Sequence, residues 1–168
     1  MAKKKKDKQA HSAGTPATDA LTAAGVPFEV GFYTHHDDET HFGAEAAAQL
    51  GIDPARLFKT LVVDAGGGLA VAVVPVAGML DLKAMAHALG VKKAEMADPK
   101  AAERSSGYVV GGISPIGQRT PLPTVIDASA QDFSTIYVSA GKRGAQVELA
   151  PADLAAVTSG SFAPISRA

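Results

Sequence analysis

The sequence predicts an α+β fold: one compact domain over residues 15–168, with a mixed, strongly bent, barrel-like sheet flanked by short helices. Three observations carry that expectation. Short strand-like runs outnumber helical stretches, and they do not alternate with helices strictly enough for a doubly wound sheet. A chain of 168 residues, 46% hydrophobic and 20% charged, suits a single sizeable core. Aromatic residues make up only 5% and tryptophan is absent, so aliphatic side chains must form most of that core.

The elements follow in order. In "TPATDALTAAGV", Thr15 is the expected N-cap, Pro16 the first helical residue and Gly25 the stop. "PFEVGFYT" alternates as a strand with Phe28, Val30 and Phe32 on one face. The polar loop "HHDDETH" comes next, then the alanine-rich helix "FGAEAAAQLG" ending at Gly51 and a helical turn in "DPARL". "FKTLVV" and "LAVAVVPV" form a strand pair turned by "DAGGG". Asp81 caps "LKAMAHALG", whose Leu82, Met85, Ala86 and Leu89 share one helical face. "DPKAAERSSG" reads as a short helix and "YVVGGISPIG" as a strand broken by glycines. "PTVIDAS", "STIYVSAG" and "QVELA" are strand-like, and "PADLAAVTSG" is a closing helix begun by Pro151.

Charge is unevenly distributed. Residues 1–14 hold five lysines against Asp7, a local +4, so a total of −1 leaves −5 on residues 15–168. The basic head has little to bury and is expected to be a disordered tail, either solvated or a weak anchor for RNA phosphates. Any nucleic-acid contact by the rest of the chain requires a local patch. With no cysteine, disulfides, thiolate nucleophiles and cysteine-ligated zinc are excluded, and the cytoplasm is the expected location. No apolar run approaches the roughly 20 residues of a membrane span, and no apolar signal core follows the basic head.

Familiar catalytic signatures are missing: no nucleophile elbow, phosphate-binding loop, dinucleotide fingerprint or H-E-x-x-H. "GKRG" lacks the spacing of a phosphate-binding loop. His35, His36, Asp37, Asp38, Glu39 and His41, with Glu45 one turn beyond His41, suggest metal ligands, but the solvated polar loop is the stronger expectation. Lys59 opens an aliphatic strand, sharing a face with Leu61 and Val63, with Thr60 beside it. Two accounts of Lys59 stand: a snorkelling ammonium, or a cation fixed at a pocket edge to meet a phosphate or ester carbonyl. Gly111 and Gly112 interrupt a strand-like run, either as a plain bulge or as a turn aiming backbone N–H groups at an oxyanion.

"FKTLVV", "LAVAVVPVAGMLDLKAMAHALGVKKAEMADP", "GYVVGGISPIGQ" and "STIYVSAGKRGAQVEL" together resemble the YbaK/EbsC family of bacterial aminoacyl-tRNA deacylases, relatives of the prolyl-tRNA synthetase editing domain. The resemblance runs from about residue 15 to the carboxyl end. It implies trans-editing: hydrolysis of the ester joining cysteine to proline tRNA, an error that a proline-sized pocket rejects poorly. It implies catalytic roles for Lys59 and Gly111, and substrate contacts from Tyr33, Phe42, Thr60, Gly112, Ser139 and Gln146. Where close relatives carry an aspartate after "GKRG-x", this chain has Gln146, which keeps hydrogen bonding and loses charge. It further implies no cofactor and no metal, the acceptor 3′ end of a mischarged tRNA as partner, and prolyl-tRNA synthetase as a second partner. In the implied mechanism the substrate's own thiol attacks the ester carbonyl. Two alternatives remain: editing of another amino acid such as alanine, or a non-catalytic module binding tRNA or a synthetase.

Overall fold

The computed structural model describes residues 12–34 and 42–168. The strand pair around the glycine triplet forms as its sequence dictates. Strand β2 (Phe58–Asp64) runs antiparallel to β3 (Leu69–Pro75) in continuous register, from Phe58 opposite Pro75 to Asp64 opposite Leu69. Ala65 N–H donates to Gly68 O at 2.8 Å and Gly66 N–H to Asp64 Oδ1 at 2.8 Å, closing the turn. Gly66 adopts φ +93°, a conformation that costs glycine little.

β3 is buried on both faces and divides the core. Val71 and Val73 join a large cluster with Leu21, Phe58, Ile116, Ile126, Ile136, Val147 and Leu154. Ala70, Ala72 and Val74 join a smaller one with Val63, Met85, Val125 and Ile165. A strand covered on both sides must be apolar throughout, which explains the unbroken run "LAVAVV".

The short helices carry the expected punctuation. α1 (Pro16–Ala24) starts at Thr15, whose Oγ1 accepts from Thr18 N–H at 3.3 Å, and ends at a left-handed Gly25. α2 (Phe42–Leu50) follows β1 (Glu29–Phe32). α3 (Leu82–Leu89), preceded by the two-residue strand β4 (Met79–Leu80), is capped by Asp81 and buries Met85 and Ala86. α4 (Pro99–Ser106), after β5 (Glu95–Met96), is capped by Asp98. The remaining elements are β6 (Thr124–Asp127), a 3₁₀ turn (Ala128–Asp132), β7 (Ile136–Ser139), β8 (Ala145–Leu149), α5 (Pro151–Thr158), β9 (Ser161–Ala163) and β10 (Ser166–Arg167).

The sheet is mixed, but it is not barrel-like. Among the described residues the strands form three separate sheets, ordered β5-β2-β3-β6-β9, β1-β8-β7 and β10-β4. β6 runs parallel to β3 and to β9, and the other pairings are antiparallel. Among the described residues the two larger sheets share one core but are joined in the backbone ladder by a single parallel bridge, Leu57 to Tyr137, so no closed barrel forms. Arg56 reinforces that joint: Nε donates to Thr135 O at 2.8 Å, Nη2 pairs with Glu148 at 2.8 Å, and the guanidinium lies 5.0 Å from the Tyr137 ring centroid.

Further details depart from the sequence pattern. Residues 108–117 are not a strand. Val110 and Gly111 are the central pair of a turn closed by Gly112 N–H to Val109 O at 2.8 Å, and Gly111 takes φ +88°. Of the strand face Phe28, Val30 and Phe32, the first two are partly buried against the core and Phe32 is 40% exposed. Chain order also includes strands β4, β5, β9 and β10, too short to show periodicity. Ala13, inside the stretch expected to be tail, is buried in the main core. Residues 1–11 lie outside the described residues.

Candidate active site

The failure of the two sheets to merge leaves an open edge. β3 covers one side of β2 along its whole length, whereas β5 pairs only with Val63 and Asp64 on the other. Beside the uncovered stretch lies a cavity of about 490 Å³, lined by consecutive residues 57–62. An open strand edge explains why residues from both faces of β2 reach it. The volume falls in the range of small-molecule sites.

Seven of the eight residues singled out from sequence meet here: Tyr33, Phe42, Lys59, Thr60, Gly111, Ser139 and Gln146. They come from β1's exit, α2, β2, the 108–117 loop, β7 and β8. Ser139 and Gln146 are register partners on β7 and β8. Gly112 is not in the lining. It backs the wall instead, since a Cβ there would lie 2.8 Å from the backbone of Lys142 and Arg143. Its N–H is occupied by the turn bond to Val109, so only Gly111 of the glycine pair retains a backbone donor without a partner among the described residues. Gly111 must be glycine on two counts: φ is +88°, and a Cβ would come within 2.7 Å of the Phe42 ring.

Lys59 is half-buried, and among the described residues its ammonium has no hydrogen bond or ion pair. Buried polar atoms nearby are also uncompensated. Three buried side-chain atoms among the described residues lack a partner, and two of them, Thr60 Oγ1 and Gln146 Oε1, belong to cavity residues. Such atoms are rare because each forfeits its hydration without replacement. Ser139 Oγ accepts from Gly141 N–H at 3.1 Å, and among the described residues neither it nor Thr60 is bonded to a histidine or carboxylate that would activate a hydroxyl.

Several supports were invisible in sequence. Glu103 on α4 accepts from Val110 N–H at 2.9 Å, and Arg143 Nε donates to Val110 O at 2.9 Å, so the turn before Gly111 is gripped from both sides. The Arg143 guanidinium also lies 5.1 Å from the Phe42 ring centroid. Tyr108 Oη donates to Ile116 O at 2.6 Å, tying the two ends of the loop together. Burial pushes the Tyr108 phenol up to about 12, so it stays a donor at neutral pH. Met96, Ala97 and Ile113 complete the apolar wall. The "GKRG" stretch was the available signal, since its flanking glycines are both left-handed, at φ +100° and +89°.

The histidine- and acid-rich loop at 35–41 lies outside the described residues. Among the described residues, no group of three or more histidine, cysteine, aspartate or glutamate side chains is placed to hold a metal ion.

Residues 37–157, which contain every cavity element except β1 and its exit, match the aminoacyl-tRNA editing domain. The chain belongs to this family. A curated relative from Enterococcus faecalis, EbsC, is 44% identical over 99% of this chain and 98% of its own length. Its name describes it provisionally as a Cys-tRNA(Pro)/Cys-tRNA(Cys) deacylase. Two solved structures share the editing-domain fold. One, described provisionally as a trans-editing enzyme for prolyl tRNA synthetase, has TM-score 0.80 and 24% identity, covering 91% of this chain and 96% of that one. The other, described as a hypothetical protein, has TM-score 0.79 and 26% identity, covering 90% and 99%.

Proposed function

We propose that this editing domain deacylates mischarged tRNA, with cysteine on proline tRNA as its substrate. The observation that carries the proposal is the content of one cavity, which among the described residues holds a lysine without a counter-ion, a glycine N–H without an acceptor, two orphaned buried polar atoms and no activated hydroxyl. A site of this kind holds and polarises a ligand; it does not attack one. The name of the 44% identical relative supports the choice of substrate.

In this account Lys59 holds the phosphate of the terminal adenosine at the open edge of β2. Gly111 N–H donates to the ester carbonyl oxygen as negative charge develops there, where a fixed donor counts most. Gln146 Oε1 and Thr60 Oγ1 take donors from the aminoacyl and ribose groups. The cysteine sulfur bonds to the carbonyl carbon, the carbon–oxygen bond to the ribose breaks, and the thiol proton passes to the departing ribose oxygen. Cysteine leaves as a thiolactone that water opens. The protein contributes positioning, worth several kcal/mol when reacting atoms are aligned. Neutral Gln146, standing where an aspartate is expected, fits a contact that accepts a hydrogen bond without a full charge. The N-terminal lysines add a weak RNA contact, and a prolyl-tRNA synthetase supplies tRNA selection.

The test is deacylation of proline tRNA charged separately with cysteine, alanine and proline. The proposal expects the cysteine ester to be cleaved at least about a hundredfold faster than the others. Faster cleavage of the alanine ester would assign a different editing specificity, and no cleavage of any ester would remove the enzymatic reading.

A further inference from the structure

We infer that Phe32 and the Lys142–Arg143 turn form a landing surface for the single-stranded nucleotides just before the terminal one. The inference rests on the tRNA reading of the cavity and adds the partner's path outside it. Three observations carry it. Phe32 sits on the protein surface at 40% exposure, although it follows directly from the semi-buried Val30 and Gly31. The Lys142 ammonium lies 5.8 Å from the Phe32 ring centroid, and Lys142 has no carboxylate partner among the described residues. Arg143 is exposed and anchored through Nε to Val110 O, which leaves its terminal nitrogens without a partner among the described residues.

The surface is tied to the cavity rather than scattered near it. Arg143 covers the ring of Phe42, a cavity residue, and the backbone of Lys142 and Arg143 backs Gly112. Tyr33, which lines the cavity, donates its N–H to Gly144 O at 2.9 Å immediately after the basic pair. Two cations and an exposed ring are therefore fixed to the same wall that presents Gly111. This is the pairing that a single strand requires: ammonium and guanidinium for phosphates, an aromatic face for a base. The basic pair stands out because residues 15–168 otherwise carry net negative charge.

The experiment measures binding, with no chemistry. Fluorescence anisotropy compares uncharged proline tRNA having its intact single-stranded 3′ end with the same tRNA trimmed of that end, using full-length protein. Phe32→Ala and Lys142→Ala should each weaken binding of the intact tRNA about fivefold to tenfold and leave the trimmed tRNA unchanged. Lys142→Ala should also flatten the dependence of log affinity on log salt by about 0.7. Thermal melting confirms that each variant is folded, and Lys142→Glu serves as a second variant with a larger effect of the same sign. Equal affinities of wild type and variants for intact tRNA would overturn the inference, as would an equal loss on trimmed tRNA. A surface built for an acidic protein would give the first of these results. Failure of the deacylation assay with these binding effects intact would remove only the catalytic reading.

Discussion

Asp127 and Gln146 are both buried, at 3% and 7% exposure, and the protein treats them in opposite ways. Asp127 Oδ1 accepts from Ile165 N–H at 2.9 Å and Ser166 N–H at 3.0 Å, while Oδ2 accepts from Ser129 Oγ at 2.5 Å and Ser129 N–H at 3.3 Å. Gln146 Oε1 accepts from nothing among the described residues. The cations repeat the contrast. Arg56 is bonded to Thr135 and Glu148 at the joint between sheets, and three residues later Lys59 has no partner among the described residues. Two of the three orphaned buried atoms among the described residues lie in the cavity, which is the pattern expected where a ligand supplies the missing partners.

Substitutions can sharpen that contrast. The largest effect is expected at Lys59. Lys59→Ala should lower deacylation of Cys-tRNA(Pro) by about a hundredfold or more, because it removes the only charge identified for the phosphate. Its melting temperature should change little, since no hydrogen bond or ion pair among the described residues is lost. Calorimetric melting alongside single-turnover rates checks both halves, and a destabilised Lys59→Ala protein with normal turnover would make Lys59 structural.

Gln146 and Asp127 form the second test, as a pair. Gln146→Leu should lower kcat/KM about tenfold. Its stability should be unchanged or increased, because an unsatisfied buried acceptor is gone. Asp127→Asn should do the reverse, costing about 1–3 kcal/mol of stability while leaving the turnover of folded protein intact. Burial works to raise the Asp127 carboxyl, but the bonds from Ser129, Ile165 and Ser166 outweigh it and hold the group below its ordinary 3.8. The stability it supplies is therefore fully present above about pH 3.8 and is lost as pH falls through the lower folded value. Urea titrations from pH 7 to pH 2 should show this loss in wild type and a smaller one in Asp127→Asn.

How much of this was legible in the sequence depended on range. Caps at Thr15 and Asp81 and the turn at 64–68 were readable because each is decided within a few residues. The division into three sheets was not, because it depends on where Leu57 meets Tyr137, eighty residues away. The 108–117 run misled for a similar reason. Its valines favour a strand, but Glu103 and Arg143 take the Val110 N–H and C=O that a strand partner would need. Lys59 and Gly111 were recognisable as anomalies, and the resemblance to a family gave them roles. The cavity that unites them, and the Arg143 grip behind it, required the three-dimensional arrangement.

The central claim is that this cavity positions a substrate whose own thiol does the chemistry. Single-turnover deacylation of proline tRNA carrying cysteine or serine tests it directly, because the two esters differ only in sulfur and oxygen. The account predicts rapid release of cysteine and serine release near the uncatalysed rate. Equal rates for the two would contradict it and place the attacking group on water, the tRNA or the protein.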